Sequence, residues 1–302
     1  MTSVPVTRQM SGPGAARARS RRLRRSTGGV HRPSWVNYVV LTVTILVFAY
    51  PLYYAFLLAT SDAETIAQSV VPSLVPGSHL WENIQRVLDS DIQFWKALAN
   101  SVIVSVTTAA SVVLFSTLAG YSFAKLRFRG RRPLLLFVVA TMAVPTQLGI
   151  VPLFIVVSRL GWQGNLLAVI VPGLVTAFGV FWMTQYMESA LPYELVEAAR
   201  VDGASMFRTF WSIALPAARP AAAMLALFTF VQNWTNFFWP FIVLGSTNPT
   251  LPVATQLLQS QYFKDYSLIM TGVVMSTLPL LALFVVAGKQ LVSGIMAGAV
   301  KG

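Results

Sequence analysis

Six long apolar runs organise this chain. Residues 35–58, 97–120, 134–157, 166–187, 221–244 and 267–288 contain no Asp, Glu, Lys, Arg or His, and each is 22 to 24 residues long. A helix needs about 20 residues to cross the ~30 Å hydrocarbon core of a bilayer. In lipid the backbone must satisfy its own polar groups, which favours helix over any open strand. The pattern therefore predicts an all-α integral membrane protein with six transmembrane helices. Pro51, Pro145, Pro152, Pro172, Pro240 and Pro279 fall inside these runs. Membrane spans tolerate such prolines, which often kink them.

Between the runs, the basic residues are distributed unevenly. With the N-terminus inside, residues 1–34, 121–133, 188–220 and 289–302 face the cytoplasm and together hold 18 Lys and Arg, against 4 (Arg86, Lys96, Arg159 and Lys264) on the opposite side. By the positive-inside rule both termini are expected in the cytoplasm. The chain then divides into a basic tail (1–34), expected to be disordered, a six-helix transmembrane domain (35–288) and a short C-terminal tail (289–302). The longest outer segment, 59–96, carries five acids and is expected to hold a short helix near Trp81.

Composition closes several alternatives. With 55% hydrophobic and only 11% charged residues, and a mean hydropathy of +0.65, the chain has too little polar surface for a soluble fold. It has no cysteine, and its two histidines lie outside the apolar runs, which excludes disulfides, thiol catalysis and a histidine-rich metal site. The net charge of +12 is concentrated in tails and loops, a topology signal rather than a nucleic-acid-binding face. No Gly-rich loop ending in Gly-Lys-Ser/Thr is present to cradle a nucleotide phosphate.

One inner loop stands out. Residues 191–216 read as helix, turn, helix. Pro192 suits a helix start, Glu194 and Glu197 favour the positive end of the dipole, and Glu197 can pair with Arg200. Gly203 is placed to stop the first helix, and Ser205 is placed to cap the second. Phe207, Phe210, Trp211 and Ala214 are expected to share one apolar face. Ala198 and Ala199 keep the first helix thin, so that another surface can approach closely. Pro216 and Pro220 mark the return to the membrane. From this pattern alone, an amphipathic hairpin lying on lipid fits as well as one that docks a partner.

The order Glu197-Ala198-Ala199, three residues, Gly203, nine residues, Ile213-x-Leu215-Pro216 resembles the EAA motif of binding-protein-dependent ABC importer permeases. Asn100-Ser101, the segment 121–130, Pro145, Pro152, the element 191–195 and the ending 298–302 are similar to the MalG-type carbohydrate permeases. The resemblance implies the type I ABC importer permease fold in a bacterial cell membrane. It implies that Glu197, Ala198, Ala199, Asp202, Gly203, Phe207, Ile213, Leu215 and Pro216 dock an ATPase subunit. It also implies the partners: two ATPase subunits that bind the ATP and Mg, a second homologous permease in a heterodimer, an extracellular substrate-binding protein, and a sugar as cargo. No cofactor and no catalytic residue is expected on this chain. In span five the family usually has an Asn and an acid where Thr235 and Asn236 stand here.

Gln232, Asn233, Trp234, Asn236 and Trp239 in span five are candidates to line a substrate path, since amides beside aromatic faces suit sugar hydroxyls and C–H faces. Thr141, Thr146 and Gln147 in span three have the same character. The competing reading of all of them is interhelical hydrogen bonding. A proton-coupled transporter is disfavoured because no span contains an acid, base or histidine, although sodium coupling can use backbone carbonyls instead. A membrane enzyme is disfavoured because no nucleophile–base set converges.

Overall fold

The computed structural model describes residues 34–68, 74–260 and 264–299. The chain falls into two units, Met1–Tyr53 and Tyr54–Gly302. The basic tail expected over residues 1–34 lies outside the described residues, apart from Ser34. In the first unit runs helix α1 (Trp35–Thr60), whose residues up to Tyr53 are all exposed. An apolar helix with no buried side within its unit has the character of a lipid-facing span.

The second unit holds the end of α1 and the remaining helices, and no strand occurs among the described residues. On one end lie the short helices α2 (Ala63–Gln68) and α3 (Leu80–Asp89), the latter close to where the sequence places it. Helix α4 (Phe94–Lys125) is the central span. It packs most extensively against α8 (Ala177–Ala190) and α11 (Leu215–Trp234). Small residues make these contacts close. A Cβ on Gly120 would lie 2.7 Å from the Met183 Cβ and 2.9 Å from the Thr184 nitrogen, so only glycine lets the two backbones approach this far. The core there gathers Val112, Met183, Met187, Leu225 and Ala218.

Three of the expected spans are not single regular helices, two of them interrupted near a proline-containing turn. The run 134–157 is split into α5 (Arg131–Thr141) and α6 (Ile150–Arg159), which are bent by 89° about a break that ends in a single 3-10 turn, Thr146–Gly149. Pro145 sits in the break, where it can neither donate to the helical ladder nor fit beneath the carbonyl four residues earlier. The run 166–187 starts with α7 (Leu167–Ile170) and a 3-10 turn at Val171–Gly173 that contains Pro172, then continues as α8.

Span five differs more. The expected run 221–244 is cut at Thr235–Phe237. The helix α11 stops at Trp234, and α12 (Phe238–Leu244) begins anew. Pro240 explains the restart: it cannot bond to the Asn236 carbonyl in a continuous helix but is tolerated in the first turn of a new one. Side chains assist, because Asn233 Nδ2 donates to the Thr229 carbonyl (2.8 Å) and Thr235 Oγ1 to that of Val231 (2.8 Å). At its other end α11 extends the hairpin: Met206–Trp234 is one helical run, and Pro216 and Pro220 lie within it.

The chain then forms α13 (Leu251–Leu257) and the last span α14 (Tyr266–Ala299), which passes the expected end at Gly288 by 11 residues. Among the described residues, five helices are long and apolar enough to cross a membrane, or six spans when the bent α5–α6 pair is taken as one.

Candidate functional site

The hairpin is built from α9 (Tyr193–Val201) and α10 (Met206–Thr209). Gly203 stops α9 in the left-handed region, at φ +75°. The Ala204 amide donates back to the Ala199 carbonyl (2.9 Å) and the Gly203 amide to that of Arg200 (3.0 Å), the paired bonds of a Schellman cap. Ser205 then caps α10, with its Oγ accepting from the Arg208 amide at 3.2 Å. Beyond α10 the helix widens to π geometry over Phe210–Ala214, and the Leu215 amide reaches the Phe210 carbonyl. The widening stands directly ahead of Pro216, whose ring disrupts a regular ladder there.

The π segment divides the apolar face expected from helical spacing. Phe210 and Ala214 are buried in the core with Tyr121, Met187, Leu191 and Val196. The Tyr121 and Phe210 rings lie 5.8 Å apart. Phe207 and Trp211 remain exposed instead, stacked edge-on at 5.9 Å. Polar contacts fix the base of the hairpin to the end of α4. Lys125 Nζ donates to the Glu188 carbonyl (3.3 Å), Arg131 pairs with the Glu188 carboxylate (3.4 Å), and the Arg127 guanidinium lies 5.3 Å from the centre of the Tyr193 ring.

The residues expected to dock a partner therefore separate into two sets. Glu197, Ala198, Asp202, Gly203 and Phe207 are exposed at the tip and along one side. Ala199 is buried, so it fits the hairpin to itself rather than to a visitor, and Ile213, Leu215 and Pro216 are half-buried in the hairpin's root. Glu197 and Arg200 form no ion pair among the described residues; an exposed pair at this spacing gains little in water. Two residues that sequence spacing did not single out belong to the exposed set. Val201 is 88% exposed and Met206 is 56% exposed, next to Phe207 at 66%. Their signal was present: both flank the turn, and no helical face shields them.

A second feature arises where the broken spans three and five meet. A cavity of about 480 Å³ is lined by Thr146 and Gln147 from the break in span three, Asn236, Phe238 and Trp239 from the break in span five, and Ile150 between them. Thus Thr146, Gln147, Asn236 and Trp239, read separately from two spans, come together. Trp239 is held by its Nε1 donating to the Ala168 carbonyl at 3.0 Å. The other candidates part company. Trp234 is buried at 4% exposure, donates to the Ser276 carbonyl (3.1 Å) and stacks on Phe230, so it joins two helices. Asn233 bonds within its own helix, Gln232 is exposed away from the cavity lining, and Thr141 caps the Val138 carbonyl at 2.6 Å. Trp234 also lines a smaller cavity of about 320 Å³ at the span-five break, together with Thr235, Thr255, Gln256 and Thr277. Asn100 and Ser101 serve the fold: Asn100 Nδ2 donates to Asn248 Oδ1 and the Pro249 carbonyl, and Ser101 Oγ accepts from the Leu251 amide.

Comparison with known proteins agrees with this architecture. The family profile described as "Binding-protein-dependent transport system inner membrane component" matches residues 113–288. The lactose transport system permease protein LacG of Rhizobium radiobacter is 31% identical, over 89% of this chain and 97% of that protein. The arabinooligosaccharides transport system permease protein AraQ of Halalkalibacterium halodurans is 29% identical, again over 89% and 97%. The sn-glycerol-3-phosphate transport system permease protein UgpE of Pectobacterium atrosepticum is 28% identical, over 86% and 95%. Among solved structures, a bacterial ABC transporter involved in the import of the acidic polysaccharide alginate superposes with a TM-score of 0.71 at 26% identity, covering 84% of this chain and 94% of that one. The chain therefore belongs to the inner-membrane components of binding-protein-dependent transport systems, and is a multi-pass ABC-importer permease subunit rather than an enzyme.

Proposed function

We propose that this permease passes a sugar into the cell, driven by ATP that separate ATPase subunits bind with Mg and hydrolyse. The observation that carries the reading is a single helical run, Met206–Trp234, that joins the exposed hairpin to the break at Thr235 beside the polar cavity. The hairpin offers Val201, Met206 and Phe207 as apolar contact, with Glu197 and Asp202 beside them. Its inner face is fixed by Phe210 and by the Lys125–Glu188–Arg131 contacts. An ATPase seated on the tip can therefore move the whole lever instead of deforming a loose loop. Motion of that lever alters the angle at Thr235–Phe237, where Asn236 and Trp239 enter the cavity. Broken helices with free backbone groups at the cavity are a common way for transporters to build a site.

The cargo class follows from the lining and from the relatives, which are named for lactose, arabinooligosaccharides and glycerol phosphate. Gln147, Thr146 and Asn236 donate and accept hydrogen bonds, and the Trp239 and Phe238 rings offer faces to C–H groups. Both termini face the cytoplasm in this reading. A second, homologous permease covers the open side of the cavity, and an extracellular binding protein delivers the sugar. The test is uptake into vesicles carrying the full complex with its ATPases. Labelled sugar accumulates only with ATP on the hairpin side, and Asn236→Ala with Gln147→Ala cuts uptake at least tenfold while ATPase association persists. Uptake driven by an ion gradient without ATP contradicts the proposal.

A further inference from the structure

We infer that the loop joining α4 to α5 is a binding site for the phosphate of an anionic lipid headgroup. Arg127, Arg129, Arg131 and Arg132 fall within six residues, with no acid between them. The loop folds around a recess of about 360 Å³ lined by Arg127, Phe128, Gly130, Arg131, Arg132 and Pro133.

Simple positive-inside charge needs no such shape, and here the shape is held from several sides. Gly130 turns the chain at φ +81°, where a Cβ would meet nothing, so the glycine serves the backbone conformation and not space. The Phe128 ring rests 5.8 Å from Phe123. Arg127 is held on Tyr193 and Arg131 on Glu188. Arg129 and Arg132 are exposed, and among the described residues neither has a hydrogen bond or an ion pair. Two guanidiniums are thus committed to the protein and two are free for a ligand: Arg132, which lines the recess, and Arg129, which precedes Arg132 in the same loop. Free guanidiniums present planar, forked donors that match phosphate oxygens.

The position selects the source of the phosphate. α4, an apolar span, ends at this loop, and α5, the first half of the bent apolar pair, begins there, so the recess adjoins the ends of two apolar membrane segments, within reach of lipid headgroups. Leu134, Leu136 and Phe137 are exposed on the first turns of α5, beside the recess, where acyl chains lie. Basic pockets at span ends take anionic headgroups in this way.

The experiment uses the full permease complex in nanodiscs of phosphatidylcholine with 20% phosphatidylglycerol or with none, with retained lipid counted by native mass spectrometry. The test variant is Arg129→Gln with Arg132→Gln. The control variant, Arg159→Gln with Arg219→Gln, removes the same charge outside the loop. Wild type and control are expected to retain phosphatidylglycerol in preference to phosphatidylcholine, and the test variant to bind it about 30-fold more weakly, from about 1 kcal/mol for each lost charge. Inorganic phosphate at millimolar concentration is expected not to displace the lipid; displacement would make this a soluble-anion site and overturn the proposal. Equal retention by test variant and wild type overturns it. So does loss of an acidic protein partner from the test variant with lipid retention intact.

Discussion

At position 203 a single backbone angle decides whether the hairpin has a tip. Gly203 holds φ +75° with nothing near its missing Cβ, and the neighbouring amides close back on Arg200 and Ala199. Gly203→Ala should therefore fit sterically but cost about 1 kcal/mol in the left-handed conformation. Hydrogen exchange at the Gly203 and Ala204 amides should rise roughly fivefold; unchanged exchange would show that the cap is not held by the glycine. This glycine was legible in the sequence because a helix stop needs that residue type. The division between Phe210 and Trp211 was not. The π segment shifts the phase of the following residues, so a regular period assigns 207, 210, 211 and 214 to one face while the fold buries only 210 and 214. Trp234 and Trp239 show the same limit. Both look like rings beside amides in sequence, and only their Nε1 partners, Ser276 and Ala168, and the different cavities they line tell them apart.

At the scale of elements, close helix contacts and one ion pair carry separate predictions. Gly120 lets α4 meet α8, and any side chain there strikes the Met183 and Thr184 backbone. Gly120→Leu should lower the melting temperature of the purified protein, by overpacking of about 1–3 kcal/mol or more; wild-type melting would contradict the contact. At the opposite end, Arg86 on α3 pairs with Asp265 at the start of α14, 2.5 Å apart. Burial pushes the Asp265 carboxyl up, but hydrogen bonds from Ser267 and Arg86 outweigh it and hold the group below the usual carboxylate range. A depressed carboxyl stabilises the fold above its unfolded value of about 3.9 and loses that contribution as pH falls through the folded value. Melting should thus weaken as pH drops below about 4, and Arg86→Gln should reduce that dependence. The six spans themselves were readable from apolar runs, and Pro145 flagged the break in span three. The break in span five was hidden, because residues 235–237 contain neither Pro nor Gly, and Pro240 acts from three residues beyond it.

For the whole molecule, we propose that an ATPase grips the permease at the hairpin and that α11 carries its motion to the cavity. The resemblance in the EAA spacing pointed to the hairpin, but only the fold shows which of its residues are free to touch a partner. Val201 and Phe207 are 88% and 66% exposed, so replacing them leaves the core intact. Copurification of the cognate ATPase subunits with the Val201→Asp, Phe207→Asp permease measures the claim directly. The doubly substituted permease should keep wild-type elution and melting and lose its ATPases. ATPases retained at wild-type stoichiometry would contradict it.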